Sequence, residues 1–482
     1  SGAVDEVGYD DSKRSSSPTM DSINLNSSER PAKRKQAKPS HVSAQLERLN
    51  LPPPVKTILS DLLECGQGEF VGDEAYTSFG DLLVDLKLLK KAGLSRFLQS
   101  PSIEVCSKIC GREKEIEALN ASYRNPNTQG ILIMGTGGVG KSRMAIHILQ
   151  QTRKDGGLIF CTKFEQNQDV LTPLARICAI FSDMIDLFVT AATPSTLLSI
   201  SNNLDNSLGN HASLLYEVLP SLARIMPSCC QVRLSHIERI NMANSMRFLF
   251  CKLLEVLTSY QSAKITVLFD DVQWADLASL SIISSLLHNN ETTKRVYYTF
   301  CFRDNEMKND WLDSISTYSL DRIKLESLNP DGVNEFVSEA LHLFPRLTRP
   351  LSSVLHRKTG GNPLFVRHLL SSIGRFEGIA SPSSTPRLKG GEIYFSLSRQ
   401  RWDWDVDKIE DLEMADDVVS FLVAEMQQLS EILMFGLKVA ACIGSRMSPT
   451  VIGILSAELN ICLNDTLVIL VKRGFLSKQG SG

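Results

Sequence analysis

The chain has 482 residues, 43% of them hydrophobic and 22% charged, with a formal net charge of −3. That is room for two or three ordinary globular domains, and it gives no bulk positive field to draw the chain to nucleic acid or anionic lipid. No uninterrupted apolar run approaches the ~18 residues that a membrane span needs and no signal peptide opens the sequence, so no membrane association is expected.

Eleven cysteines are scattered without a C-x-x-C pair. The nearest neighbours, Cys106/Cys110 and Cys229-Cys230, lack histidine partners at metal-ligand spacing, which reads as reduced thiols in a cytoplasmic protein. The sequence begins at Ser1 without an initiator Met and is expected to be part of something longer. Residues 1–45 are polar and Ser-rich with almost nothing to bury, so they read as a disordered tail. Their basic cluster (Arg30, Lys33, Arg34, Lys35, Lys38) reads as solvated linker charge, with nuclear import as the alternative. Residues 46–104 carry helical periodicity in Val55, Ile58, Leu59, Leu62 and again in Leu82, Leu83, Leu86, Leu89.

The stretch that organises the rest is Gly130 to Ser142. An apolar run, Gly130-Ile131-Leu132-Ile133-Met134, is followed by Gly135-Thr136-Gly137-Gly138-Val139-Gly140-Lys141-Ser142, then by Met144, Ala145, Ile148 and Leu149 at helical spacing. Strand, G-x-x-x-x-G-K-[ST] turn and helix make a phosphate-binding loop. Glycines let successive N–H groups converge on phosphate oxygens, and the helix N-terminus adds partial positive charge. In that arrangement Lys141 reaches the β- and γ-phosphates and Ser142 gives its hydroxyl to Mg²⁺. The alternative, a glycine-rich turn with a surface lysine, does not explain the flanking strand and helix.

Leu158-Ile159-Phe160-Cys161 reads as a second buried strand and residues 170–262 as largely helical, with a loop and one short helix over 195–210. Ile265-Thr266-Val267-Leu268-Phe269 then ends in Asp270-Asp271, the pattern of a central parallel strand with acids at its ligand-binding end. Asp270 is placed to hold Mg²⁺ through water and Asp271 to orient or deprotonate an attacking water. Another strand, Val296 to Phe302, leads into Arg303, which either senses the γ-phosphate or pairs with Asp304 or Glu306. Asn329-Pro330-Asp331 and Asn362-Pro363 each start a helix, the second directly after Gly360-Gly361. Residues 381–415 read as a linker, and helices return over 416–482, closing on Phe475-Leu476-Ser477, which resembles the first strand of an unfinished wing.

Two resemblances emerge from these stretches. Asp73-Glu74-Ala75-Tyr76-Thr77-Ser78-Phe79 with Asp85-Leu86 is similar to the last helices of a protein kinase C-lobe, without any kinase catalytic residue. More specific is the ordered set Gly111-Arg112-Glu113, the phosphate loop, Asp270-Asp271-Val272-Gln273-Trp274-Ala275-Asp276, Arg303 and Gly361-Asn362-Pro363. From about residue 105 onward the chain resembles the origin-recognition-like AAA ATPase domain of multidomain signal-transduction NTPases, found beside histidine kinase, cyclase or kinase modules.

The resemblance implies an α/β fold: a P-loop three-layer parallel sheet over 105–325, a helical lid over 326–380 and a partial winged helix over 416–482. It implies ATP/ADP and Mg²⁺ as cofactors. Gly135, Thr136, Gly137, Gly138, Val139, Gly140, Lys141, Ser142 and Arg143 would bind the phosphates, Ser142 and Asp270 the metal, with Asp271 and Arg303 in catalytic and sensor roles. Pro363 would touch the nucleotide from the lid. A second sensor arginine or an arginine finger is not evident, which favours a slowly hydrolysing Mg-dependent ATPase switch over a ring motor. Its expected partners are nucleotide, signalling modules or proteins, and a nucleotide-dependent oligomer. The rival is a DNA-binding replication initiator of the origin-recognition type. Its reading helix would need basic and amide side chains, whereas Thr466-Leu467-Val468-Ile469-Leu470-Val471 is apolar and looks like a packing helix.

Overall fold

The computed structural model describes residues 46, 48–65, 76, 78–97, 108–166, 173–230, 242–289, 295–307, 309–374, 393–396, 401–412, 418–427, 429–444, 447–459, 461–472 and 475–476. The chain divides into two units, 1–51 and 52–482. Little of the first is described, and the serine-rich tail and basic cluster lie outside the described residues. So does most of the kinase-like phrase, from Asp73 to Ala75 and Thr77.

Five strands form one parallel sheet: β1 (Gly130–Gly135), β2 (Leu158–Lys163), β3 (Ile265–Asp270), β4 (Val296–Phe302) and β5 (Leu320–Leu325), in the order β2-β3-β4-β1-β5. The near-continuous apolar runs of β1, β3 and β4 follow from burial on both faces. In β3, Ile265, Val267 and Phe269 face one core while Leu268 faces the other. The second core is closed by α3 (Glu113–Arg124) and α4 (Lys141–Lys154). The first, larger core is closed by α5 (Ala175–Ala191), α6 (Pro194–Leu208), α7 (Ala212–Val218), α8 (Met242–Ser259), α9 (Leu277–His288) and α10 (Asn309–Ile315). The result is the expected three-layer α/β architecture.

One expectation in this region fails. Residues 195–210 are not a loop with a short helix: α6 is 15 residues long. Thr193 caps it by accepting from the Thr196 N–H, Pro194 occupies the first turn, and Ile200, Leu204 and Leu208 recur every fourth residue to bury one face. The polar Ser and Asn residues between them occupy the other face and mask the stripe.

Behind the sheet come α11 (Pro330–Leu341), α12 (Pro345–Thr359) and α13 (Pro363–Ile373), the helical lid, which has its own core. The stretch 381–415, expected as a linker, carries a hairpin of β6 (Ile393–Ser396) and β7 (Arg401–Trp404) and a short helix, α14 (Val406–Asp411). Ile393, Trp402, Trp404 and Ile409 are buried in the lid core. Alternation of Trp402 and Trp404 with polar residues is a period-2 strand signal that the surrounding Ser, Pro and Gly obscure.

Beyond α15 (Val418–Gln427), three helices form a small last bundle: α16 (Glu431–Ile443), α17 (Pro449–Leu459) and α18 (Leu463–Lys472), around Leu433, Ala440, Leu467 and Leu470. Phe475 and Leu476 form no strand. Their N–H groups return to the Leu470 carbonyl, at 3.0 and 3.4 Å, and wrap the end of α18; Ser477 lies outside the described residues. The expectation that α18 is a packing helix holds for one face: Thr466, Leu467 and Leu470 are buried, while Val468 is 53% exposed and Ile469 lies beside it in solvent.

Candidate nucleotide site

All five strands run the same way, so the residues that follow them gather at one edge of the sheet, where open α/β sheets bind ligands. β1 ends in the glycine loop, β3 in Asp270, β4 in Arg303 and β2 in Lys163. The loop needs its glycines individually. Gly138 and Gly140 have positive φ (81° and 101°), and a Cβ on Gly138 would lie 2.7 Å from the Asn362 amide oxygen. Gly135 is equally constrained, since a Cβ there would lie 2.4 Å from the Leu325 carbonyl.

Within the loop the Lys141 ammonium donates to the carbonyls of Gly135 and Thr136, at 2.9 and 2.8 Å. Lys141 is only 7% exposed, and burial lowers its pKa, with Asp271 the chief opposing charge. A buried cation whose hydrogen bonds go to neutral carbonyls, with no carboxylate in direct contact among the described residues, has room for an anion, which phosphate oxygens supply. Ser142 donates from Oγ to both oxygens of Asp270, at 3.1 and 2.9 Å. Hydroxyl and carboxylate thus sit together as two hard oxygen donors. They fit Mg²⁺, which takes one or two protein ligands and completes its shell with water and phosphate. When bound, Mg²⁺ would neutralise charge on the phosphates.

Asp271 occupies the left-handed region (φ 54°), unusual for a non-glycine residue but tolerated by Asp. It begins a tight turn, Val272–Trp274, and its Oδ1 accepts from the Gln273 side chain at 3.1 Å. Gln273 in turn accepts from the Arg303 backbone N–H at 3.1 Å, so the turn after β3 is tied to the end of β4. The Arg303 guanidinium donates to Glu306 at 2.7 Å and lies over the Trp274 ring at 5.1 Å, within cation–π range. Arg303 thus pairs with Glu306, one of its two expected partners, and also borders Gly137 of the loop, whose Cβ position is 3.8 Å from its Cζ.

Asn362 joins loop and lid. Its Oδ1 caps α13 by accepting from the Leu364 and Phe365 N–H groups, while its Nδ2 donates to the Gly137 carbonyl at 2.9 Å. The Leu364 N–H also reaches the Gly138 carbonyl at 3.3 Å. Pro363, at the first position of α13, lies beside these contacts. The Gly111-Arg112 segment is fastened to the lid side as well. The Gly111 N–H donates to Glu335 at 2.8 Å, and Arg112 donates to Glu115 at 2.9 Å and to the Glu326 carbonyl.

Two residues escaped the sequence reading. Lys163, in register with Asp270 across the β2–β3 pairing, is 3.5 Å from the Asp270 carboxylate and donates to Asp271. Burial works against its charge, but the two aspartates outweigh this and raise its pKa. Nothing local in the sequence marks it; only the neighbouring strand gives it meaning. Arg367, one turn into α13, has a buried Nε without a partner among the described residues. Its pKa is lowered, by burial first and then by the charge of Arg143. Two arginines that repel one another beside a phosphate loop would both gain from an anion. Arg367 was missed because its helical position says nothing of what it faces.

Among the described residues no group of three or more His, Cys, Asp or Glu side chains is placed to hold a metal, and the nine cysteines whose side chains are described are free thiols. No described helix is long and apolar enough to cross a membrane. A cleft of about 950 Å³ lined by Phe248, Trp311 and Tyr318 shares no residue with the nucleotide site.

Residues 108–299 match the AAA ATPase domain family. A hybrid signal transduction histidine kinase, kinase G of Dictyostelium discoideum, is 24% identical over 424 residues, 74% of this chain but 12% of that much longer protein. Among solved structures, the Orc1 protein of Aeropyrum pernix in complex with DNA is 12% identical, with 77% of this chain and 85% of that one covered at a TM-score of 0.35. Cdc6p of Pyrobaculum aerophilum is 13% identical, with 80% and 92% covered at 0.33.

Proposed function

We propose that this chain, whose residues 108–299 form an AAA ATPase domain, binds Mg-ATP, hydrolyses it slowly and serves as a nucleotide-operated switch within a multidomain signalling protein. The observation that carries the reading is the joint at Asn362: one side chain caps the lid helix α13 and holds the Gly137 carbonyl of the phosphate loop. A lid hydrogen-bonded to the loop shifts with whatever the loop holds. A nucleotide that favours one lid position over the other by several kcal/mol would move the population almost fully.

The roles divide by position. Lys141 and the loop N–H groups would hold the phosphates, Ser142 and Asp270 would hold Mg²⁺, and Asp271 would orient the attacking water. Arg303 and Arg367 would face the terminal phosphate from the sheet and the lid, and Pro363 would rest against the nucleotide. The engagement of both Asp271 oxygens, one by Lys163 and one by Gln273, supports slow turnover, since neither is free to meet an attacking water until a partner moves. The resemblance of much of the chain to a signalling histidine kinase supports the setting.

Asp271→Asn tests the catalytic assignment. The variant should bind Mg-ATP with parental affinity while single-turnover hydrolysis falls at least roughly a hundredfold, as for loss of a general base. Hydrolysis at the parental rate would remove Asp271 from the reaction.

A further inference from the structure

The described core residues of the segment ahead of the ATPase domain belong with the lid rather than with the sheet. Its helices α1 (Pro53–Cys65) and α2 (Phe79–Ala92) and the turn Leu94–Phe97 place Ile58, Leu82 and Phe97 in the lid core with Val337, Phe344 and Leu347. None of the three belongs to either core of the sheet. The Phe97 and Phe344 rings stack with centroids 4.4 Å apart.

A buried polar clamp fixes the same junction. Arg346 of α12 donates to Asp61 of α1 at 2.6 Å and to Asp85 of α2 at 3.3 Å, and its guanidinium lies 4.1 Å from the Tyr76 ring centroid. Tyr76 donates to Asp85 at 3.1 Å, and Asp85 is only 1% exposed. One arginine therefore bridges carboxylates from two helices. A second set of contacts closes the far end: Arg96 pairs with Glu339 at 3.0 Å, and His342 hydrogen-bonds the Arg96 carbonyl at 2.8 Å.

We propose that residues 53–97 ride on the lid as part of it, with Arg346 as the pin, so that the nucleotide state reaches the polypeptide ahead of Pro53 through the lid and not through the sheet. This rests on the switch reading above. The path is continuous: phosphate loop, Asn362, α13, the lid core, Arg346, then α1 and α2. Separating one partner of a buried charged pair leaves the other charge uncompensated, so the clamp resists being pulled apart, which suits a pin. Coupling is reciprocal, so a load placed on α1 and α2 would also change nucleotide affinity.

Hydrogen exchange on the full chain tests this. With saturating Mg-ADP, amides of 53–97 should slow together with those of 330–373, by roughly five- to tenfold at the lower end of ordinary site-to-site coupling. In Arg346→Ala the loop amides 130–142 should still be protected by Mg-ADP while the response of 53–97 is lost. Asp61→Asn, which keeps shape and removes one charge of the clamp, should lose most of that response and serves if Arg346→Ala does not fold. If 130–142 and 330–373 respond in the parent while 53–97 does not, or if 53–97 responds equally in both variants, the rider is overturned and the switch stands. If 130–142 shows no protection at any Mg-ADP concentration, the switch reading fails and takes the rider with it.

Discussion

Lys141 and Lys163 stand at the same sheet edge with opposite consequences. Lys141 is buried and held by carbonyls alone, so its charge is available to phosphate. Lys141→Ala should abolish Mg-ATP binding in isothermal titration, because the loop loses its mobile cation; unchanged affinity would mean that the loop is no phosphate site. Lys163 is 44% exposed at its side chain and already spent on Asp270 and Asp271. A half-exposed pair is worth at most about 1 kcal/mol. Lys163→Met should therefore raise steady-state hydrolysis by up to roughly fivefold, since about 1.4 kcal/mol corresponds to a tenfold change in rate. A fall in rate would show instead that Lys163 positions Asp271. The two lysines also mark what the sequence could and could not disclose. Lys141 sits in a motif whose chemistry is written in consecutive residues, whereas Lys163 acquires its role from strand register, which the linear order hides.

The same division holds among the elements. Helix starts with a side-chain cap and proline, at Asn329-Pro330 and Asn362-Pro363, were legible because the signal is local. The α6 stripe and the β6–β7 hairpin were not, since Ser, Asn, Pro and Gly on the exposed positions diluted the period of the buried ones. What no local signal told was that the two capping asparagines do different work. Asn329 only accepts from the Gly332 N–H, at 2.7 Å, while Asn362 also holds the Gly137 carbonyl. Replacing either with Ala should cost about 1 kcal/mol of stability in denaturant unfolding, the usual worth of such a cap. Nucleotide affinity should change in Asn362→Ala and stay parental in Asn329→Ala. Equal affinities in the two variants would reduce Asn362 to a helix start, and the lid would lose its link to the loop.

At the scale of the whole molecule, the choice between a signalling switch and a DNA-binding initiator turns on the last bundle. Among its described side chains, helix α18 presents Asn464, Asp465, Val468 and Ile469 to solvent: one amide, one carboxylate and two aliphatic side chains. Groove readers need several donors there, and phosphate binding needs cations. From Ser430 to Gly482 the charges are Lys438, Arg446, Lys472, Arg473 and Lys478 against Glu431, Glu458 and Asp465, five against three, a surplus of two. Each phosphate neutralised contributes a slope of about −0.9 in log affinity against log salt, so the five cations cap the slope near about −4.5, and the three acids among them repel the same backbone and work against reaching that cap. An apolar exposed face with little charge is suited to protein contact rather than to a polyanion. A mobility-shift titration of duplex DNA over a range of salt should therefore show weak, shallow binding at most, unchanged by Mg-ATP. Tight binding with a steep salt slope would mean that charges outside α18 build a DNA surface, and the initiator would displace the switch.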